Sequence, residues 1–579
     1  MGSEELSPQP AELQELLLDH RARHTIIPNQ ELSGSRERKA PARPADQDLV
    51  SAAIGDYGRW QLLITFLISL FSFPCTFHMY MSNFTVAKSD YWCARPNNLS
   101  SVPVSIWKQY SQPNGPCTIR QLPDGITAEA IFNNTAPVLD TFMKCTNWEF
   151  DKSEISSTII SEWLLVCERQ GLTNLAEAMF LLGVGLGGVI GGWVSDKFGR
   201  KRILMFMVLA QTTLALLSLM VRSYFQYVVL RLFVGFVSVS VVYAAFVLAV
   251  EIVGGKWVTI AGVCNFFPLP LAYIIVSLVS LLLPDWRNLT LALSIPGCSL
   301  LILWFVIPES PRWLLSMGRI KETKVILQRA ANFNGRALPS DIDKQLELKK
   351  AEILGQNENP GIVMLFKPPL RKRTFCLAVA WFAMTIGYYG LVLNIGNFDI
   401  WNVHSTSIIL AVVEVPAIAL SIPVLLKAGR RIPIFITMVV CGLACLATEV
   451  FAIAYKEKWV MIGCLMVGKF AIAMTNMMLP IFTAELYPTV VRNLGVGGSQ
   501  VSAGMALIII PYLWNLTAFS AHLPMVTMAV LIALGGGVVL LLPDTVDHTA
   551  GGDVIADKTT TDNTVVPNGT FVIADSRSP

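Results

Sequence analysis

Long apolar runs alternate with short polar or basic turns along most of this 579-residue chain. Runs of membrane-spanning length fall at 60–81, 172–194, 203–221, 226–249, 260–283, 289–307, 373–396, 405–426, 432–454, 459–482, 493–514 and 522–542. Lipid cannot hydrogen-bond the backbone, so each run must satisfy its own amides by coiling. The pattern predicts an all-α membrane protein with twelve transmembrane helices.

The polar intervals set the expected orientation. Residues 1–59 are polar and Pro-rich, with basic clusters such as 36–39, and read as a cytoplasmic tail. With no early apolar core, the run at 60–81 is expected to act as an uncleaved anchor. The turn at 197–202, the connector at 308–372 and the turn at 427–431 are basic and are placed inside. Within the connector, 320–331 and 340–354 predict amphipathic or charged helices at the inner surface. The tail at 543–579 is then cytoplasmic, and the sequon at Asn568 should stay bare.

The segment 83–170 is different. It carries sequons at Asn83, Asn98 and Asn133, and four of the eleven cysteines: Cys93, Cys117, Cys145 and Cys167. Sequons with an even cysteine count suit an oxidising, glycosylating compartment, so this loop is expected outside. Four cysteines allow three pairings. Cys145 and Cys167 flank a segment that looks helical, so each is expected to pair with an upstream partner.

Composition narrows the function. Hydrophobic residues make up 53% and charged residues 15%, against about 25% charged in soluble domains. The net charge of +3 says less than its distribution. Gly463 to Lys469 has the spacing of a phosphate-binding loop, but Phe470 replaces the Ser or Thr and no strand precedes it. No nucleotide or nucleic-acid partner follows, and none of the histidines has ligand spacing. Neither metal nor cofactor is expected, and the bilayer is the surrounding partner.

Three landmarks recur at nearly one offset. Gly199–Arg200 is echoed by Gly429–Arg430, 230 residues on; Glu251 by Glu485, 234 on; Pro308-Glu309-Ser310 by Pro543-Asp544-Thr545, 235 on. Two six-helix halves are implied. The second copy is degraded, with Leu426 where the first has Asp196.

The stretch GWVSDKFGRKR at 192–202 resembles the loop after the second helix of the major facilitator superfamily. PESPRWLL (308–315), ELYPTVVRNLG (485–495), STIISEWLLVC (157–167) and the long cysteine-bearing loop resemble the organic ion transporter family, carriers of cations, anions and zwitterions. The resemblance covers about 55–545. It implies two pseudo-symmetric bundles, 60–307 and 373–542, and alternating-access carriage of a small organic ion across the plasma membrane, without enzymatic activity. Asp196 would cap a helix end and pair with Arg200, with Gly199 making the tight turn. These residues, with Glu485 and Arg492, would work a cytoplasmic gate, and Arg231 matches a basic position common in the superfamily.

For the substrate site, the same resemblance points to Glu414, Lys469, Phe246, Asn265, Trp381, Tyr388 and Tyr389. Charges inside spans are costly and must face protein or a wet cavity. Glu414 and Lys469 either neutralise each other or line the cavity, with Glu414 free to attract a cation. Aromatic faces would add cation–π attraction. The family's cation carriers place an aspartate, and its anion and carnitine carriers an arginine, where this chain has Gly504. An acid restored there is expected to favour cations if the glycine faces the cavity. The alternatives are a carrier of anions or uncharged metabolites, and a non-transporting receptor or scaffold.

Overall fold

The computed structural model describes residues 48–544, except 88, 124, 134, 153–155, 356–361, 369, 394–402, 455–457 and 488–490. The tails 1–47 and 545–579, with the sequon at Asn568, lie outside the described residues. The spanning helices are α1 (Arg59–Thr85), α2 (Thr173–Phe198), α3 (Arg200–Leu217), α4 (Tyr224–Ile252), α5 (Trp257–Leu282) and α6 (Trp286–Phe305). The second half has α7 (Leu370–Leu393), α8 (Val403–Lys427), α9 (Arg431–Ala454), α10 (Lys458–Leu486), α11 (Arg492–Leu513) and α12 (Leu523–Val539). Ten of these are long and apolar enough to span by length and composition. The exceptions are α3, which opens on three basic residues, and the shorter α12.

Prolines shape α5 and α8, among other spans. In α5 the helix stops at Cys264 and restarts at Pro268, whose missing N–H is harmless only in a first turn. In α8, Pro416 and Pro423 lie inside the helix and interrupt its hydrogen-bond ladder beside Glu414.

Within the first half α2 packs on α4; within the second, α9 packs on α10 and α12, and α7 on α11 and α12. The halves meet through α2 on α11 and α5 on α8. Glycines set the closeness of these contacts. A Cβ on Gly183 would lie 2.0 Å from the Leu232 carbonyl oxygen, and one on Gly187 2.2 Å from that of Phe236. Small residues one turn apart thus let α2 and α4 backbones touch. Gly185 points elsewhere: a Cβ there would come 3.0 Å from Gly504 Cα of α11.

One face of the bundle carries the segment after α1, which we call the loop face. There β1 (Tyr91–Cys93) pairs with β4 (Trp148–Phe150), and β2 (Thr118–Arg120) with β3 (Phe142–Lys144), both antiparallel. Disulfides join Cys93 to Cys145 and Cys117 to Cys167, so each later cysteine takes an upstream partner. The expected helix between Cys145 and Cys167 is largely absent. Alternating Trp148-Glu149-Phe150 pairs as a strand, and among the described residues of this segment only Ile159–Glu162 is helical. Glu162 accepts the Trp286 indole N–H at 2.8 Å and pairs with Arg287. Trp163 packs against Tyr224, Tyr227 and Trp286. This contact seats the loop on the heads of α4 and α6.

The opposite, connector face holds the helices Pro311–Ser316, Ile320–Phe333 and Ile342–Gly355. Leu327, Ala330, Ala331 and Leu346 are buried in one cluster with Val50, Ala53 and Ile54 of the short helix Leu49–Ile54. The connector helices therefore cover protein with their apolar sides.

Candidate functional site

Glu414 of α8 and Lys469 of α10 sit eleven residues into their helices from the loop face, about 16 Å at 1.5 Å per residue. That is mid-bilayer depth. They are 2% and 0% exposed, with Lys469 Nζ 3.0 Å from a Glu414 carboxylate oxygen. The Tyr388 hydroxyl donates to the other carboxylate oxygen. The Lys469 ammonium also lies over the Tyr388 ring, 3.6 Å from its centroid. Removing two ions from water costs several kcal/mol each. Here the cost is offset by the ion pair, a hydroxyl donor and a ring face, all held by packed helices.

Tyr388 extends this cluster across to the first half. Its hydroxyl lies 3.5 Å from that of Tyr80 in α1, and Tyr80 packs 4.2 Å from Tyr273 of α5. Tyr273 donates to Ser407 of α8 at 3.0 Å and accepts from the Asn83 amide at 3.1 Å. Asn83 also donates to the Val392 carbonyl of α7 at 3.2 Å. Closer to the loop face, the Ser280 hydroxyl and His404 Nδ1 are 3.0 Å apart, and Phe84 stacks on His404. The polar cross-half contacts among the described residues thus lie mostly between the acid and the loop face, the side we call closed. Toward the connector face, Tyr243 of α4 donates to Gln500 of α11 at 2.7 Å.

Asn83 therefore requires a correction. α1 continues to Thr85, so the sequon at Asn83 is inside a span. Its Nδ2, the atom a glycan would occupy, donates to two partners between the halves. Asn98 and Asn133 are exposed on the loop.

The remaining site candidates separate into groups. Tyr389 meets Tyr388 edge-on at 4.9 Å and joins the acid cluster. Phe246 packs 5.6 Å from Phe266, next to Asn265 at the break in α5. Asn265 is 2% exposed, and neither side-chain amide atom has a hydrogen-bond partner among the described residues. An unsatisfied buried amide is costly, and this one lies where α5 runs against α8. Trp381 stands apart. Its indole donates to Thr483 of α10 at 2.9 Å inside the second half, where it fastens α7 to α10. Sequence reasoning missed Tyr80, Tyr273 and Ser407, because a lone Tyr or Ser in an apolar run carries no local signal. Gly463 to Lys469 lies within helix α10, the wrong geometry for a phosphate loop.

Gly504 is also corrected. A Cβ there would lie 3.0 Å from Gly185 Cα, backbone against backbone. The position is a helix contact and has no room for a selector side chain.

At the connector face, Arg200 pairs with Asp196 at 2.7 Å and with Glu251 at 3.0 Å. It also donates to the Ser195 carbonyl at 3.0 Å. Glu251 receives two guanidinium nitrogens and is more enclosed than half-exposed Asp196. Gly199 turns at φ 108°, a left-handed conformation open to glycine. In the second half Arg430 binds Glu485 at 2.9 Å and donates to the Leu425 carbonyl. The Arg492 side chain lies outside the described residues. Arg231 does not join this face. It is twenty residues before Glu251 on α4, about 30 Å along the axis, donating to the His78 carbonyl at 3.1 Å and covering Phe180.

The profile of the family described as "Sugar (and other) transporter" matches residues 130–550. The chain is 34% identical over 519 residues to the organic cation/carnitine transporter 2 of Homo sapiens, covering 86% of this chain and 91% of that one. It belongs to the organic ion transporter family of the major facilitator superfamily. To the organic cation transporter protein of Drosophila melanogaster it is 32% identical over 511 residues, covering 86% and 92%. To the beta-alanine transporter of the same organism it is 32% identical over 535 residues, covering 86% and 87%. Among solved structures, the proton:xylose symporter XylE superposes with a TM-score of 0.60 at 15% identity, covering 84% of this chain and 96% of XylE. That likeness establishes the fold. The protein is a membrane carrier and not an enzyme.

Proposed function

We propose that this family member carries small organic cations and zwitterions across the plasma membrane, with its loop face outside and both termini cytoplasmic. The observation that carries the reading is the Glu414 carboxylate. It is buried at mid-depth, bonded by Tyr388, opposed by Lys469, and linked through Tyr80 to the other half. An arriving ammonium competes with Lys469 for Glu414 and meets the tyrosine faces. The freed lysine supplies a counter-charge for a substrate carboxylate. This favours molecules bearing both charges, in keeping with relatives named for carnitine and beta-alanine. Exchange of the closed loop side for a closed connector side would complete alternating access. In this reading the Arg200–Glu251 and Arg430–Glu485 clusters bias that exchange.

The test is uptake in one cell line, corrected for surface protein, of a quaternary ammonium, a zwitterion, an organic anion and a neutral solute. Glu414→Gln should weaken cation uptake ten- to hundredfold, since a charged hydrogen bond contributes about 1.5–3 kcal/mol. Because the variant leaves Lys469 unpaired, Glu414→Gln/Lys469→Gln is measured beside it. Equal losses for charged and neutral solutes in both variants would sink the reading.

A further inference from the structure

We propose a second binding site on this protein: a cavity on the connector face that takes the phosphorylated headgroup of an anionic membrane lipid. The cavity encloses about 310 Å³ and is lined by α1, α3, the end of α6 and the connector helix Ile320–Phe333. All these elements belong to one side of the molecule. Alternating access, which works between the two halves, has no use for such a perimeter pocket.

Its chemistry is basic on one wall and apolar on the other. Lys201, Arg202, Arg319 and Arg329 line it, against Glu309 and Glu322. Arg319 pairs with Glu322 at 2.6 Å. Glu309 is occupied by the Lys201 and Ser310 backbone amides at 2.9 and 3.1 Å. Arg202 and Arg329 make no ion pair among the described residues, and both are exposed. Four positive charges against two negative leave a net attraction for an anion.

The apolar wall identifies the kind of anion. It is made by Trp304 and Phe305, in the last turn of α6, with Trp60 at the start of α1. Phe305 is 88% exposed and Ile302 in the same turn 69%, which places this rim among acyl chains. The Lys201 ammonium lies over the Trp304 ring, 5.6 Å from its centroid. Basic groups beside exposed rings at the end of a spanning helix match the two ends of a phospholipid, as basic pockets between spanning helices elsewhere do. A free phosphate would satisfy only the first.

Full-length protein is reconstituted in nanodiscs of phosphatidylcholine, with or without a minor fraction of phosphatidylinositol bisphosphate. Retained lipid is counted by native mass spectrometry. Wild type should keep an anionic lipid that Arg202→Gln/Arg329→Gln loses. Each substitution should weaken retention roughly fivefold, since a basic residue near the surface is worth about 1 kcal/mol. The charge-matched control Lys152→Gln, on the loop, should retain lipid as wild type does. Phe305→Ser should weaken retention of the lipid but not binding of its soluble headgroup, glycerophosphoinositol bisphosphate. Undiminished retention in the double arginine variant overturns the site. Equal binding of the soluble headgroup and the lipid overturns the lipid assignment. Folding of each variant is confirmed by its elution as a single species.

Discussion

Arg430 donates to Glu485 at 2.9 Å and reaches back to the carbonyl of Leu425, five residues before it. Arg200 does the same with Glu251 and the carbonyl of Ser195, 230 positions earlier. The repeated landmarks of the sequence are thus bonded partners within each half. What the second half lacks is the aspartate: Asp196 adds a third contact to Arg200, and Leu426 cannot.

This asymmetry ranks the proposed gate residues. Arg200→Ala should slow transport more than Asp196→Asn, because it frees enclosed Glu251 as well as half-exposed Asp196. Charged hydrogen bonds to an enclosed group contribute about 1.5–3 kcal/mol, and an exposed pair about 0–1 kcal/mol. Arg430→Ala should resemble Arg200→Ala. Surface-normalised uptake in the three variants checks the order, and Asp196→Asn proving the most severe would reverse the assignment.

At the α2–α11 crossing, Gly504→Asp should lower the amount of mature protein without raising cation uptake. Forcing atoms into a packed contact costs about 1–3 kcal/mol, and both backbones here are fixed by their helices. Gly185→Ala should share the defect. Immunoblots of surface protein decide it, and a well-expressed Gly504→Asp with faster cation uptake would mean the helices separate there.

Tyr388→Phe removes the hydroxyl that holds Glu414 and touches Tyr80, yet keeps the ring beneath Lys469. It should therefore weaken cation uptake, by about tenfold for one charged hydrogen bond, while sparing surface expression. Tyr388→Leu, which also removes the ring, should cost more. Indistinguishable losses would show that the ring adds nothing.

Treatment with an N-glycosidase should shift the gel mobility of surface protein, and Asn98→Gln/Asn133→Gln should abolish the shift. Asn83→Gln should leave the shift unchanged and alter transport, since its amide bridges Tyr273 and Val392 on the closed side. A shift that depends on Asn83 would place that residue outside the bundle.

The loop carries a pH dependence of its own. Burial raises the Glu149 carboxyl, but hydrogen bonds from the Trp92 indole and from the Arg95 amide and guanidinium outweigh it and leave the group below the ordinary carboxylate range. A depressed folded value stabilises the folded loop fully above the unfolded value of about 4.3. That contribution is lost as pH falls through the lower, folded value. Hydrogen exchange of β1 and β4 should rise in acid below pH about 4, and Glu149→Gln should flatten the change. An unaltered acid response in the variant would assign it to another carboxyl.

Twelve spans, the cysteine-bearing loop and the duplicated halves were legible in the chain, because lipid and redox chemistry act on composition and run length directly. Glu414 and Lys469 were legible for the same reason: a charge in an apolar run is conspicuous. The sequence leaves their pairing open between two readings, since it depends on which faces α8 and α10 turn to each other. Tertiary structure alone decided that Asn83 is a bridge and not a glycan acceptor, as the three-residue sequon is blind to where α1 ends. It also decided that Gly504 is a contact with Gly185, and that Tyr80, Tyr273 and Ser407 complete the closed side. A tyrosine or a glycine reads alike in lipid, in a core or in a site. Only the distance to a residue more than a hundred positions away gives it a role, and that distance is set by how the two halves pack.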